Sequence, residues 1–357
     1  MDTLADSGTV RAMSEPRTDW AETIPEGEEA ELLRLAEVLR DIQRKHTRKA
    51  GAGRALHRKS HAGVRAEVRV RGDLPAPYRA GIFATSAACA TSATCATYPA
   101  YVRFSNGAPR NQPDKAGDVR GVAIKIVGVP GKKLIPGLED ARTQDFLLIK
   151  TPSTPFRSAS EFVRIVQAGD NPLLLVPTLA RVGFGRTLGL LRALIASLKQ
   201  PVPSMATLRY WSAAPIRWGD HAARVSLIPA AADPPHAAGL REDLLARLRV
   251  GPVGFTLAAQ LYVDPQRTPI EAGDADWSET DSPFVPVADV VLPQQDVASE
   301  HGRRVEAFVE SLSFDPWHAP VEFRPLGNLM RARNHAYRLS VIERAAAPEP
   351  DGSESFA

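Results

Sequence analysis

Residues 53–70 read GRALHRKSHAGVRAEVRV, and the second half of this stretch decides the fold. Val64, Ala66, Val68 and Val70 alternate with Arg65, Glu67, Arg69 and Arg71. Strand side chains point to opposite faces in turn, so this is a half-buried β-strand with one apolar and one charged face. The first half crowds Arg54, His57, Arg58, Lys59 and His61 into the approach to that strand. So much cationic and imidazole chemistry at the mouth of a strand has to be accounted for.

Working outward, strand signatures recur in AYVRFSNG, VRGVAIKIVG and DFLLIK up to about residue 150, separated by turns rich in Gly, Pro and Asp. Further strands are expected at ATLRYWSA, AARVSLIP, GFTLAAQLYV and PVADVVLP. Leu32, Leu35, Leu39 and Ile42 recur at helical spacing, with Glu28, Glu29 and Glu31 in the first turn and Arg44, Lys45 and His46 in the last. That charge order complements the helix dipole and predicts a helix. Helices are also expected over 159–168 and across PLGNLMRARNHAYRLSVIERAA. No internal repeat is present. The pattern predicts one α+β domain, built on a large antiparallel sheet or barrel with peripheral helices. It would span residues 29–346, after a polar arm (1–28) expected to be disordered and before a polar tail (347–357).

Composition sets the outer limits. With 357 residues and 44% hydrophobic content the chain can bury a large core. A net charge of +3 is too small to argue for a nucleic-acid partner. Cys89 and Cys95 show neither metal-ligand spacing nor a disulfide framework, which fits a reducing compartment. The N-terminus lacks the apolar core of a signal peptide, so a cytoplasmic location is expected. Residues 171–219 contain no Asp or Glu but carry Arg181, Arg186, Arg192 and Lys199 among many apolar residues. These cations interrupt any 20-residue apolar span, which rules out a membrane-crossing helix there. A buried helical hairpin with snorkelling arginines is the expectation. The alternative is a greasy cationic surface over 171–200 that touches a membrane or guides an apolar acid.

Two groups of residues carry chemistry. In YVRFSNG, Arg103 and Ser105 share one strand face while Val102 and Phe104 take the other, which calls for an anionic or polar partner or for water on an open sheet face. In the last helix Arg333, Tyr337 and Arg344 fall within about 40° of one another at 100° per residue. A guanidinium beside a phenol favours the phenolate, a hard anionic ligand for ferric iron. The alternative is an exposed basic face with a half-buried tyrosine. For His46, His221, His236, His301, His318 and His335 nothing is claimed.

Taken in order, RALHRKSHAG, YVRFSNG, DVRGVAIKI, DFLLIKTPSTPF and RARNHAY resemble the haem catalases. In particular they resemble the short bacterial catalase-like haem proteins related to the coral allene oxide synthase domain. The resemblance runs from about residue 50 to 345. It implies an antiparallel β-barrel with a haem-ligand helix at the C-terminal end, and ferric haem b bound by a tyrosinate. His57 matches the distal histidine that moves a proton between peroxide oxygens, and Ser105 the serine that orients it. Tyr337 matches the iron ligand and Arg333 the arginine beside it. Arg54, Arg103 and Arg344 match the arginines that hold the haem propionates, and Phe156 the phenylalanine stacked on the haem. One departure stands out: the stretch ARTQDFLLIK has no asparagine where catalases place one over the haem, and Thr143 is its nearest match.

The resemblance therefore implies a peroxide-metabolising enzyme acting on hydrogen peroxide or an organic hydroperoxide, with an organic reductant as the possible second substrate. A small catalase, a lipid-hydroperoxide isomerase and a non-enzymatic haem carrier or sensor are the alternatives. A haem-free lipid-binding barrel is the rival outside this family. A homo-oligomer is also expected.

Overall fold

The computed structural model describes residues 14–84 and 93–356. The strand read first, β1, covers Ser60–Arg71, and its burial alternates as the sequence requires, with Val64, Val68 and Val70 fully buried and Arg65 and Arg69 exposed. It pairs antiparallel with β2 (Thr94–Asn106) and, on its other edge, with β9 (Val285–Leu292). β3 (Arg120–Val127) and β4 (Thr143–Ile149) extend the sheet beyond β2. β7 (His221–Pro229) and β8 (Val253–Leu261) extend it beyond β9. The two-residue β5 (Tyr210–Trp211) pairs with both β4 and β7 and so closes eight strands into an antiparallel barrel. A short β6 (Ile216–Trp218) is appended to β7 as a hairpin.

The barrel interior holds the main core. Val102 and Phe104, Val122 and Ile124, Phe146 and Leu148, and Phe255 and Leu257 meet there, each pair two residues apart on its strand. Closure leaves no long free edge, which suits an all-antiparallel sheet of this size. The opposite face of β2, β3 and β4 carries Arg103, Ser105, Ala123 and Leu147, and helices gather on that side. α1 (Glu28–Ala50) packs along α7 (Asn328–Glu343), and α2 (Ala159–Asp170) joins both. α3 (Leu175–Val182) and α4 (Phe184–Lys199) follow α2, and α5 (Leu240–Val250) lies against β1.

α6 (Glu300–Ser311), which the sequence reading passed over, lies across β1. Its approach is close because residue 63 is glycine: a Cβ there would come within 2.7 Å of the Val309 side chain. The signal was present. Ser299 caps the helix by accepting a hydrogen bond from the Gly302 amide, and Val305 and Val309 recur at helical spacing on its buried face.

Several expectations are corrected. The described part of the polar arm is largely exposed but tied to the domain at several points. Trp20 donates to the Asp220 carbonyl at 2.9 Å, and Glu22 pairs with Arg324 and Arg331. The tail, of which the sequence says only that it is polar, is anchored, with Glu349 paired to Lys125 and the Phe356 ring against Tyr101 and Phe308. Cys95 is disulfide-bonded, contrary to the expectation of a chain without disulfides, and Cys89 lies outside the described residues. Residues 171–200 do form two helices but are not a buried hairpin, since Leu173, Val176 and Phe184 are largely exposed. No helix among the described residues is long and apolar enough to cross a membrane.

Candidate active site

A cavity of about 940 Å³ lies between the outer face of β2–β4 and helices α1, α2, α4 and α7. Most of its wall is apolar: Leu35 and Leu39, Phe162 and Val166, Leu190 and Leu194, and Ala123 and Leu147. Arg110, Asp118, the His46–Asp170 pair and the Arg186–Asp274 pair line its margins, and three further sets of polar groups carry the chemistry.

His57 stands just before β1, where Arg58 and His57 donate their amides to the carbonyls of Ala108 and Gly107 beyond the end of β2. Its φ of 53° is left-handed, uncommon for a residue with a side chain and a form of strain that concentrates at functional sites. The conformation carries the imidazole back over β3, where Gly121 leaves room for the ring. Nδ1 lies 3.0 Å from Ser105 Oγ, and Ser105 stands opposite Ser60 across the β1–β2 pair. With Nδ1 protonated and donating to Ser105, Nε2 keeps its lone pair and has no protein partner among the described residues. Burial, reinforced by the charges of Arg103, Arg333 and Arg54, pushes the imidazole down to about 3, so the ring is neutral throughout the ordinary pH range.

α7 supplies the second set. Arg333 Nη2 donates to Tyr337 Oη at 2.8 Å, and the guanidinium carbon lies 4.9 Å from the ring centroid. The tyrosine thus receives a cationic donor at its oxygen and a cation over its ring, while both residues line the cavity.

The third set is cationic. Arg54, Arg103 and Arg344 converge on the end of α6. Arg103 Nε donates to Glu310 Oε2 at 2.7 Å, and Arg54 pairs with the same carboxylate. Arg54 also donates to the Leu312 carbonyl at 2.8 Å, and Arg344 to the Ser311 carbonyl at 3.1 Å. One carboxylate stands among three guanidinium groups and pairs directly with two of them, Arg54 and Arg103. Burial, with the repulsion of Arg103 and Arg344, holds Arg54 well below the usual arginine range, and burial with the repulsion of Arg103 brings Arg344 to about 10. The set is short of negative charge.

Eight of the nine residues singled out from the sequence line this one cavity: Arg54, His57, Arg103, Ser105, Phe156, Arg333, Tyr337 and Arg344. Phe156 is buried there, edge-on to Phe162 at 5.2 Å between centroids. Thr143 is the exception. It does not line the cavity, and its hydroxyl donates to Glu349 at 2.6 Å, within a buried group that includes Lys125 and Asp145. On the cavity side β4 presents Leu147 instead. Glu310 and Gly121, both missed from the sequence, are the additions.

No family model matches the sequence, and no curated protein matches it. Solved structures do match. A bacterial catalase aligns at 16% identity and a TM-score of 0.60, covering 95% of this chain and 64% of that one. A fungal catalase aligns at 17% identity and a TM-score of 0.58, over 84% of this chain and 62% of that one. Catalase A from Saccharomyces cerevisiae gives 15% identity and 0.58 over the same shares. The chain therefore has a catalase-like α+β fold, and it spans less than two thirds of the length of these catalases.

Proposed function

We propose that the protein is a haem-dependent oxidoreductase that cleaves the O–O bond of peroxides, with organic hydroperoxides preferred over hydrogen peroxide. The observation that carries this reading is a single apolar cavity lined by a hydrogen-bonded His57–Ser105 pair, an Arg333–Tyr337 pair and a charge-deficient arginine cluster.

These residues fit ferric haem b. Tyr337 would hold the iron through its phenolic oxygen, supported by Arg333. Arg54, Arg103 and Arg344 would hold the two propionates, whose negative charges the cluster lacks. Phe156 and the aliphatic wall would enclose the macrocycle. Bound there, the haem would supply the redox chemistry of peroxide reduction. The chain supplies the proton handling. Nε2 of neutral His57 takes the proton from one peroxide oxygen and returns it to the departing one, a general acid–base role. Ser105 holds the ring in the tautomer and orientation that this requires.

The preference for organic hydroperoxides rests on the wall around His57. With Thr143 turned to Glu349, β4 offers Leu147 and no polar donor to help polarise hydrogen peroxide. A single such donor is typically worth about 10²–10³ in rate. An apolar tail brings its own binding energy to offset that deficit. Dismutation of hydrogen peroxide is the second reading, favoured by the catalase neighbours.

Haem titration of the purified chain tests the reading. One equivalent should bind with a high-spin, tyrosinate-type visible spectrum, and the loaded protein should turn over cumene hydroperoxide with a reductant. Failure to bind haem would reject the proposal. Vigorous oxygen release from hydrogen peroxide without turnover of organic hydroperoxides would leave the second reading.

A further inference from the structure

The helix that walls the cavity on one side presents an unusual surface on the other. α4 turns Leu190, Leu194 and Ser197 to the cavity. Phe184, Leu188, Arg192, Ile195 and Lys199 fall on the far side within about 80° of one another. Phe184 is 72% exposed and Ile195 50%, and the chain before α4 adds Leu173 at 85% and, in α3, Val176 at 73%. Exposed large apolar side chains gathered on one segment mark an interaction surface. No acid occurs from residue 171 to 219. Arg181, Arg192 and Lys199 make no ion pair among the described residues. The acids of the adjoining α2, Glu161 and Asp170, are already paired with Arg186 and Lys45.

We propose that the outer face of α3–α4 docks on an anionic lipid bilayer, with Leu173, Val176, Phe184 and Ile195 entering the headgroup boundary and Arg181, Arg192 and Lys199 meeting lipid phosphates. An apolar stripe flanked by cations and with no acid of its own has the composition of an interfacial helix, and Asp114 and Asp118, which line a pocket beside Ile195 and Lys199, are held by Lys59 and Gln112. Each basic residue near such a surface strengthens binding by about fivefold. The same helix walls the cavity, so docking sets the cavity beside the bilayer and gives a lipid hydroperoxide a short route in. That delivery role rests on the function proposed above, whereas the docking does not.

The test uses the haem-loaded full chain and sedimentation with vesicles of phosphatidylcholine, alone or mixed with phosphatidylglycerol. Binding is expected to the mixed vesicles only, and to weaken as salt is added. Phe184→Glu with Ile195→Glu, and separately Arg181→Glu with Arg192→Glu, should each weaken it at least about tenfold. Circular dichroism checks that both variants are folded, and both should turn over cumene hydroperoxide in solution like the wild type. Vesicle binding without peroxide turnover would support the docking and sink only the enzymatic reading. Absence of binding to the mixed vesicles, or equal binding to neutral ones, would overturn the proposal. So would self-association that the Phe184 and Ile195 substitutions abolish without any vesicle binding, which would make this face a contact between two copies of the chain.

Discussion

A Cβ added to Gly121 would lie 2.5 Å from Cε1 of His57 and 2.8 Å from its Nδ1. The imidazole rests on bare β3 backbone, and that contact together with the Ser105 hydrogen bond fixes where Nε2 points. Gly121→Ala should therefore push the ring off Ser105 without touching Tyr337 or the arginines. A displacement near 1 Å can cost about 10² in rate. The expected result is a visible spectrum like the wild type with peroxide cleavage slowed about a hundredfold, read by stopped-flow absorbance. An unchanged rate would mean that the position of His57 is immaterial.

Tyr337 and Arg333 should separate in the visible spectrum. Tyr337→Phe removes the proposed ligand oxygen, so haem should be lost or bound weakly with a different spectrum. Arg333→Ala removes the donor at 2.8 Å but leaves the oxygen, and outer partners of this kind typically change affinity by about 10–100-fold. A wild-type spectrum in Tyr337→Phe would reject its assignment as ligand.

Glu310 is the one carboxylate among Arg54, Arg103 and Arg344. Glu310→Gln should destabilise the haem-free protein by about 1–2 kcal/mol, taking the low end for charged hydrogen bonds because the Glu310 side chain is 42% exposed. In the haem-loaded protein the propionates would supply negative charge, and the loss should be smaller. Thermal unfolding of both forms checks this. An equal loss with and without haem would show that the arginines do not bind the propionates.

His57 also makes a pH signature. Its folded value near 3 lies below the ordinary 6.5, so the unfolded chain takes up the proton first as the pH falls. Stability contributed by keeping the ring neutral is full above pH 6.5 and is lost progressively toward pH 3. Between pH 7 and pH 5 the haem-free wild type should lose about 2 kcal/mol more than His57→Gln. The peroxide-cleavage rate should stay level over the same range, whereas an imidazole titrating at 6.5 would slow it about thirtyfold by pH 5. Stopped-flow rates and denaturant titrations at the two pH values decide both points.

Much of this was legible in the sequence, and the failures have physical causes. The alternation of Val64 to Val70 gave β1, and parity put Arg103 and Ser105 opposite Val102 and Phe104. The 4- and 7-residue spacings put Arg333, Tyr337 and Arg344 on one stripe. Parity also puts Thr143 and Leu147 on one face of β4, but four residues of strand separate them by about 13 Å. At the Thr143 end Glu349 returns from the tail to bind Lys125 and the threonine hydroxyl. Nothing local in the sequence announces that long-range return. Glu310 was missed for a related reason: its partners lie more than two hundred residues away on β2 and before β1. Gly121 carries no chemistry of its own, and only the ring lying against it reveals its role.

Whether His57 moves the proton that breaks the O–O bond is decided most directly by stopped-flow mixing of haem-loaded His57→Ala with cumene hydroperoxide. The resting spectrum should match the wild type and the peroxide-cleavage rate should be lower by about 10²–10⁴, the loss expected for a missing general acid–base group. A variant that reacts as fast as the wild type would contradict this role and leave the protein a haem carrier or sensor.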